Sequence, residues 1–510
     1  MTVESNTADV RHSEAPIAPA RPPAGGRSSD WLVEPDTVDL MSRLPGAADR
    51  YVACAPGRLD VMGGLAEYSG SSIVNMPIGG RVLVGVEPRR AGASTPGSGD
   101  DLSIICWPPS DSGNGAATSC VVPLAQLFDE GGKPIEADRA RSRQADFVGL
   151  IDRTHADDAW CALATLVEMC RAGVIPRLER GLVIAIGSTL SGLAGVAAET
   201  SVSAATAAAL AGLHDVAPQA NRTVAVCQRV ANRWLDLPIG IGDAYCVLHG
   251  EADTLHLVEC ATSSLGARIN LSDRLSVIGI ECGGRSSDAT EKFIRARVAA
   301  FMGRGLIERI VRHENPTGSS FSGLLSSVSV EDYVERFRDR LPTKLKGSEY
   351  LERFGETGDS LTRIDPSCTY KVRSRTEHHI YEHTRVSQFL KCIRRAGENP
   401  PEQRDVALRE AGELMYASHW SYGQRCGLGS VHADLLVNLL RRYGTGKGIF
   451  GAKITGRGCG GVVAVLAKTG RAADDAIASA IEAFDSQTGC SATLLRSTDS
   501  GAFVTGVRKV

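Results

Sequence analysis

An arginine and two carboxylates carry the chemistry that this sequence offers. Arg58 and Glu67 lie in PGRLDVMGGLAEYSGS, residues 56–71, where Gly57, Gly63, Gly64 and Gly70 leave little bulk around them. A guanidinium and a carboxylate held in so spare a loop suit the gripping of a small polar ligand; a surface ion pair on a hairpin is the plainer alternative. Asp243 stands in LPIGIGDAYCV, residues 237–247, between small and apolar neighbours. Such surroundings can tune a carboxylate for proton abstraction, and a helix N-cap would use the same residue type. A third stretch, GSTLSGLAGVAAETSVSAATAAALAGL at residues 187–213, runs a Gly/Ser-rich loop into an Ala-rich helix. Unpaired backbone N–H groups and the positive end of a helix dipole meet there, which favours an anion. The stretch is neither GxxxxGK[ST] nor GxGxxG, and a small-residue helix packed closely on a sheet explains the composition equally well.

Strand, tight loop and strand are predicted across residues 51–81, with the glycines permitting backbone turns that a side chain would block. Further strands are predicted over 80–125, interrupted by a loop at 90–101. A helix follows at 160–172, a buried strand at 182–186 and a helix at 220–234. A loop holding Asp243 then leads into two strands joined around residues 250–253. The second half reads as a strand at 275–281 and helices over 286–314, 330–340, 377–396, 401–420 and 428–443. It closes with strand, glycine loop, strand, helix and a last strand pair. That order implies antiparallel neighbours and an α+β architecture rather than a doubly wound sheet. A boundary between two domains is expected near residues 260–290.

With 510 residues, a net charge of −3 and 43% hydrophobic residues, the chain suits a globular enzyme and gives no reason to expect nucleic acid or a membrane as partner. Fourteen cysteines occur singly, without a CxxC pair, as expected of reduced thiols in a cytoplasmic protein. No apolar run approaches the roughly 20 residues that span a bilayer. Residues 1–30, rich in Ala, Pro, Ser and Arg, read as a disordered tail, and a short helix is expected at 31–44.

Taken in order, the three glycine-rich segments resemble the motifs of the GHMP small-molecule kinases, in the galactokinase branch. PGRLDVMGGLAEYSGS is similar to the first motif in the form seen in L-arabinokinases; GLAGVAAE stands in the place of the second, and GAKITGRGCGGVVAVL resembles the third. AFMGR at 300–304, IYEHTRV at 380–386 and ELMYASHWSYGQRCGLGS at 413–430 extend the likeness. The resemblance implies a two-domain α+β fold. An N-terminal domain like ribosomal protein S5 would span 31–270 and a ferredoxin-like C-terminal domain 271–510. It implies ATP and Mg²⁺ as cofactors, a monomer or homodimer, and phosphorylation of the anomeric hydroxyl of a small sugar of the L-arabinose or galactose type. A kinase-derived sugar- or nucleotide-binding regulatory protein is the alternative.

By the same resemblance, Arg58 and Asp243 are catalytic, while Glu67, Tyr68 and Gly240 hold the sugar. Gly192, Leu193, Ala194, Gly195, Val196 and Ala197, with Gly456 and Gly458, bind ATP, and Glu199 binds the metal. Several positions depart from the family pattern. Ala194, Gly195 and Val196 replace the serine run of the second motif, so the hydroxyl that reaches Mg²⁺ is missing. Glu199 falls one residue early, with Thr200 and Ser201 as substitute hydroxyls. Arg457 and Cys459 replace a glycine and a serine in the third motif, and Arg457 fits either a phosphate contact or a steric plug.

Overall fold

Long apolar strands organise the first half of the chain. The computed structural model describes residues 49–89, 100–107, 117–149, 151, 155–271, 274–315, 321–496 and 499–510. The tail expected at 1–30 and the helix expected at 31–44 lie outside those residues. Strands β1 (Tyr51–Met62) and β2 (Ile73–Pro88) pair antiparallel along most of their length, joined by a single tight 3₁₀ turn, Gly64–Ser69. β3 (Asp101–Trp107), β4 (Thr118–Pro123), β5 (Leu182–Ser188), β6 (Thr254–Glu259) and β7 (Ser264–Asn270) complete most of this sheet. β2 is long enough to serve two neighbours, pairing with β6 through Ile73–Asn75 and with β5 through Val82–Pro88. Only β3 and β5 run parallel.

Helix α1 (Ala156–Arg171) and helix α2 (Ala198–Leu213) cover this sheet, α2 lying directly on β1 and β2. Its buried residues are mostly Ala, Ser and Thr, and their small side chains let the helix axis approach the strands closely. Helix α3 (Ala220–Arg229) continues through a wider turn to Trp234, whose ring packs against Trp160 at 5.2 Å.

A second, four-stranded antiparallel sheet takes β8 (Leu275–Glu281) from the middle of the chain. β9 (Leu345–Lys346) and β10 (Thr369–Tyr370) form a separate small ribbon. β11 (Ile449–Ile454), β12 (Val462–Lys468) and β13 (Thr493–Leu495) join β8 in the order β11-β12-β8-β13. The antiparallel α+β architecture is therefore as expected.

The last strand is not. β14 (Arg508–Lys509) crosses back to pair with Tyr51 and Val52 on the edge of the first sheet, instead of extending the second. The strand expected after Asp243 is also a helix, α4 (Gly242–His249), and Asp243 sits in its first turn rather than in a loop. Ala244–Leu248 are buried all round. A short run apolar on every face does not distinguish a buried helix from a buried strand by periodicity.

Two long helices, α5 (Ala289–Glu314) and α6 (Val372–Glu398), pack together, and α6 also packs on α7 (Pro401–Ser421). Helices α8 (Val431–Tyr443) and α9 (Arg471–Thr488) pack against each other, and α8 against the second sheet.

Candidate active site

β1 carries Arg58 beneath the N-terminus of α4, where its guanidinium forms an ion pair with the Asp243 carboxylate. Both side chains are largely buried. The Arg58 main-chain N–H donates to the Val196 carbonyl at 2.7 Å, fixing the strand against the loop before α2. Burial works against the Arg58 charge, yet Asp243, Asp60 and nearby Glu67 outweigh it and hold the guanidinium above its ordinary range. Its Nε and Nη1 have no hydrogen-bond partner among the described residues and remain free for a ligand. In the first turn of a helix, Asp243 also gains from the positive end of the helix dipole.

Glu67 comes to the same place from the 3₁₀ turn and accepts a hydrogen bond from the Gly242 N–H. Gly240 is required here, because a Cβ at that position would lie 2.2 Å from Glu67 Cδ. Burial, followed by the negative charge of Asp243, pushes the Glu67 carboxyl up to about 7 from an ordinary 4.5. The folded state thus keeps a proton that the unfolded chain has already lost. The resulting stabilisation is complete below about pH 4.5 and disappears as pH rises through about 7. Glu67→Gln should therefore gain stability relative to wild type on going from pH 5 to pH 8, as read from urea midpoints. An offset that stays constant with pH would contradict this.

Tyr68 is placed as much for packing as for binding. Its ring lies between Phe301 at 5.9 Å and His379 at 4.8 Å, with the Arg297 guanidinium 4.6 Å from its centre. Its hydroxyl has no partner among the described residues. Together, Arg58, Glu67, Tyr68, Gly240 and Asp243 line one narrow pocket.

Sequence reasoning missed further members of this pocket, among them Asp60, Asn75 and Ile239. Asn75 donates to the Gly242 carbonyl at 3.1 Å, and its buried Oδ1 has no partner among the described residues. Asp60 accepts from the N–H groups of Gly64 at 3.0 Å and Gly456 at 3.1 Å, and pairs with the fully buried Lys453 at 3.1 Å. It thereby ties the first glycine segment to the third. The available signal was a lone charge in each of two apolar strands, LDVM and AKIT, because buried charges occur in pairs.

The loop Ser191–Ala197 joins β5 to α2. Gly192, Gly195 and Ala197 all have positive φ, and Ala197 takes the left-handed conformation at φ 61° immediately before the helix. The third glycine loop closes over it: Thr455 donates to the Gly195 carbonyl at 3.3 Å. A Cβ on Gly461 would lie 2.4 Å from the Ala194 carbonyl, so only glycine fits this approach. Between the loops is a second, small pocket lined by Ala194, Gly195, Arg285, Arg457, Gly458 and Gly460 among others. Gly456 lines the first cavity instead. Of the nucleotide-binding residues expected from sequence, Ala194, Gly195 and Gly458 line this second pocket, Gly192 and Leu193 line neither, and Val196 and Ala197 are buried.

The residues expected to hold Mg²⁺ do not converge. Glu199 does point into the cleft region, but its carboxylate lies 3.7 Å from the Arg457 guanidinium. Ser191 donates its hydroxyl to Asp158, and Ser201 donates to the Pro56 and Ala197 carbonyls, so Ser201 is not a substitute ligand. Among the described residues no group of three or more His, Cys, Asp or Glu side chains is arranged to hold a metal ion.

The chain is similar in sequence and fold to known kinases. Residues 406–486 match the family described as GHMP kinases C terminal. L-arabinokinase from Arabidopsis thaliana is 29% identical over 493 residues; the match covers 89% of this chain and 46% of that protein, so the chain spans just under half of its relative's length. Lactococcus lactis galactokinase, solved with galactose, superposes with a TM-score of 0.62 at 16% identity, covering 90% of this chain and 95% of that one. Methanococcus jannaschii mevalonate kinase has a TM-score of 0.50 at 10% identity, over 88% and 98% of the two chains. These two structures share the fold.

Proposed function

We propose that the chain is a GHMP kinase of the galactokinase branch and that it transfers the terminal phosphoryl group of ATP to the anomeric hydroxyl of a small monosaccharide of the L-arabinose or galactose type. One observation carries this reading. The buried Arg58–Asp243 pair lines a narrow pocket that shares Arg457 with the pocket between two glycine loops.

In the proposed reaction Asp243 accepts the proton of the sugar hydroxyl while that oxygen bonds to phosphorus. The bond from phosphorus to the bridging oxygen breaks, and ADP leaves with the electron pair. Arg58 offsets the charge on the transferring group, and the backbone amides of Ser191–Ala197 cradle the remaining phosphates. Glu67 and Asn75 orient the sugar, with the unpaired Asn75 Oδ1 accepting from a hydroxyl. Mg²⁺ enters this proposal only as the counter-ion that ATP carries. Fourteen cysteines occurring singly, without a CxxC pair, suit a reducing, cytoplasmic setting. A division into domains near residue 270 and a monomeric or homodimeric state are part of the same proposal.

Purified protein given ATP, MgCl₂ and a panel of sugars should release ADP with at least one sugar, at least tenfold faster than without it. If no sugar raises ADP release although ATP binds, the kinase reading fails. A second reading, a kinase-derived binding protein without turnover, is favoured by the hydroxyl-free loop Ala194–Val196 and the Arg457–Glu199 contact. Under that reading, sugar or ATP raises the melting temperature according to RT ln(1 + [L]/Kd) with no ADP formed.

A further inference from the structure

Arg457 is shared between the two cavities: it lines the sugar cavity beside Arg58 and Asp243 and the phosphate cavity beside Arg285. A transferring phosphoryl group would have to pass where these two spaces meet. We propose that Arg457 binds the terminal phosphates of ATP at this junction and supplies the positive charge that a protein-held divalent cation would otherwise provide. The proposal rests on the reading of the cleft as an ATP site.

The charges around Arg457 support it. Arg285 from the β8–α5 connection and Arg58 from β1 both face it with like charge, while Glu199 from α2 and Asp243 from α4 oppose them. Asp243 is already paired with Arg58, which leaves Glu199 as the partner of Arg457. Two guanidinium groups line one small cavity, and the N-terminal end of the sixteen-residue helix α2 lies beside them. Arg457 is itself half-buried, and burial, before any neighbouring charge, disfavours its charged form. Asp157 from α1 also faces Arg285 and Glu199, and two guanidinium groups beside a helix N-terminus suit a phosphate. Arginine meets phosphate oxygens in a bidentate fork, a geometry that a serine hydroxyl plus a metal would otherwise approximate.

Glu199, at 3.7 Å, is too far for a tight hydrogen-bonded pair. It is the group that a phosphate would displace. The substitution that removes the serine hydroxyls and the one that introduces Arg457 thus compensate each other: one takes away a metal ligand, and the other brings in a fixed cation.

Calorimetric titration of the full chain with ATP, in EDTA and in MgCl₂, tests this without requiring turnover. Wild type should bind ATP in EDTA within about threefold of its affinity in MgCl₂. Arg457→Met, which keeps the aliphatic stem, should lose at least tenfold in EDTA and much less in MgCl₂. Arg457→Lys should retain most of the metal-free binding, which separates lost charge from lost folding. Glu199→Gln should tighten metal-free binding several-fold by releasing the guanidinium. Unchanged binding of Arg457→Met in EDTA, or a wild type that binds only with Mg²⁺, overturns the proposal. Either result leaves the kinase reading intact if sugar-dependent ADP release persists. Absence of ATP binding in both buffers overturns both.

Discussion

Asp243→Asn will lower sugar-dependent ADP release by about 10²–10⁴-fold, the contribution typical of a positioned proton acceptor, while the protein remains folded. The amide keeps the shape of the carboxylate at the N-terminus of α4. Arg58 retains opposite charge nearby, because Asp60 and Glu67 also act on it. Loss confined to kcat, with the sugar concentration for half-saturation little changed, identifies a group engaged mainly in the transition state. Equal loss in both parameters' ratio through KM alone would assign Asp243 to binding instead. Arg58→Met is the less informative variant: it leaves Asp243, Asp60 and Glu67 together without their shared cation, so its losses mix catalysis with stability.

Asp60→Ala will destabilise the protein by about 3–5 kcal/mol, the usual result of leaving a buried charge unpaired. Lys453 is fully buried, with Asp60 at 3.1 Å and the Tyr422 ring at 5.1 Å, and has no route to water. The double variant Asp60→Asn, Lys453→Met should recover most of that stability, because exchanging a buried ion pair for neutral groups of similar size is often close to neutral. It should not recover full activity. Asp60 accepts the Gly456 N–H at 3.1 Å and the Gly64 N–H at 3.0 Å, through different carboxylate oxygens. An amide offers only one acceptor oxygen. Denaturation and ADP release measured on single and double variants separate these effects. A double variant as unstable as Asp60→Ala would show that the pair is not the source of the loss.

Much of the architecture was legible because the strands around Arg58 and the helices after residue 286 are long and strongly patterned. Helix α4 was not, since its residues are buried on every side and its aromatic and β-branched content suits either state. Arg58, Glu67 and Asp243 could be singled out one at a time, and the structure brings them together. Asp60 escaped attention because its role depends on Lys453 and Gly456, nearly four hundred residues away in the chain. Arg457 could be recognised as unusual, but its two alternatives, contact or plug, depended on where Glu199 points. That direction is set by the left-handed turn at Ala197 and is not a property of the local sequence.

The return of β14 to the first sheet has a consequence for how the protein is made. The edge of β1 at Tyr51 and Val52 is closed by Arg508 and Lys509, and Val510 donates to the Arg50 carbonyl at 2.9 Å. Gly79 and Gly501 make matching contacts, Gly79 with Arg496 and Gly501 with Gly250. At about 5–20 residues per second, a ribosome needs roughly 20–90 s to travel from β1 to β14. During that interval the sheet that carries Arg58 has an open edge on the nascent chain. The wall that carries Arg58 is synthesised long before the strand that completes it.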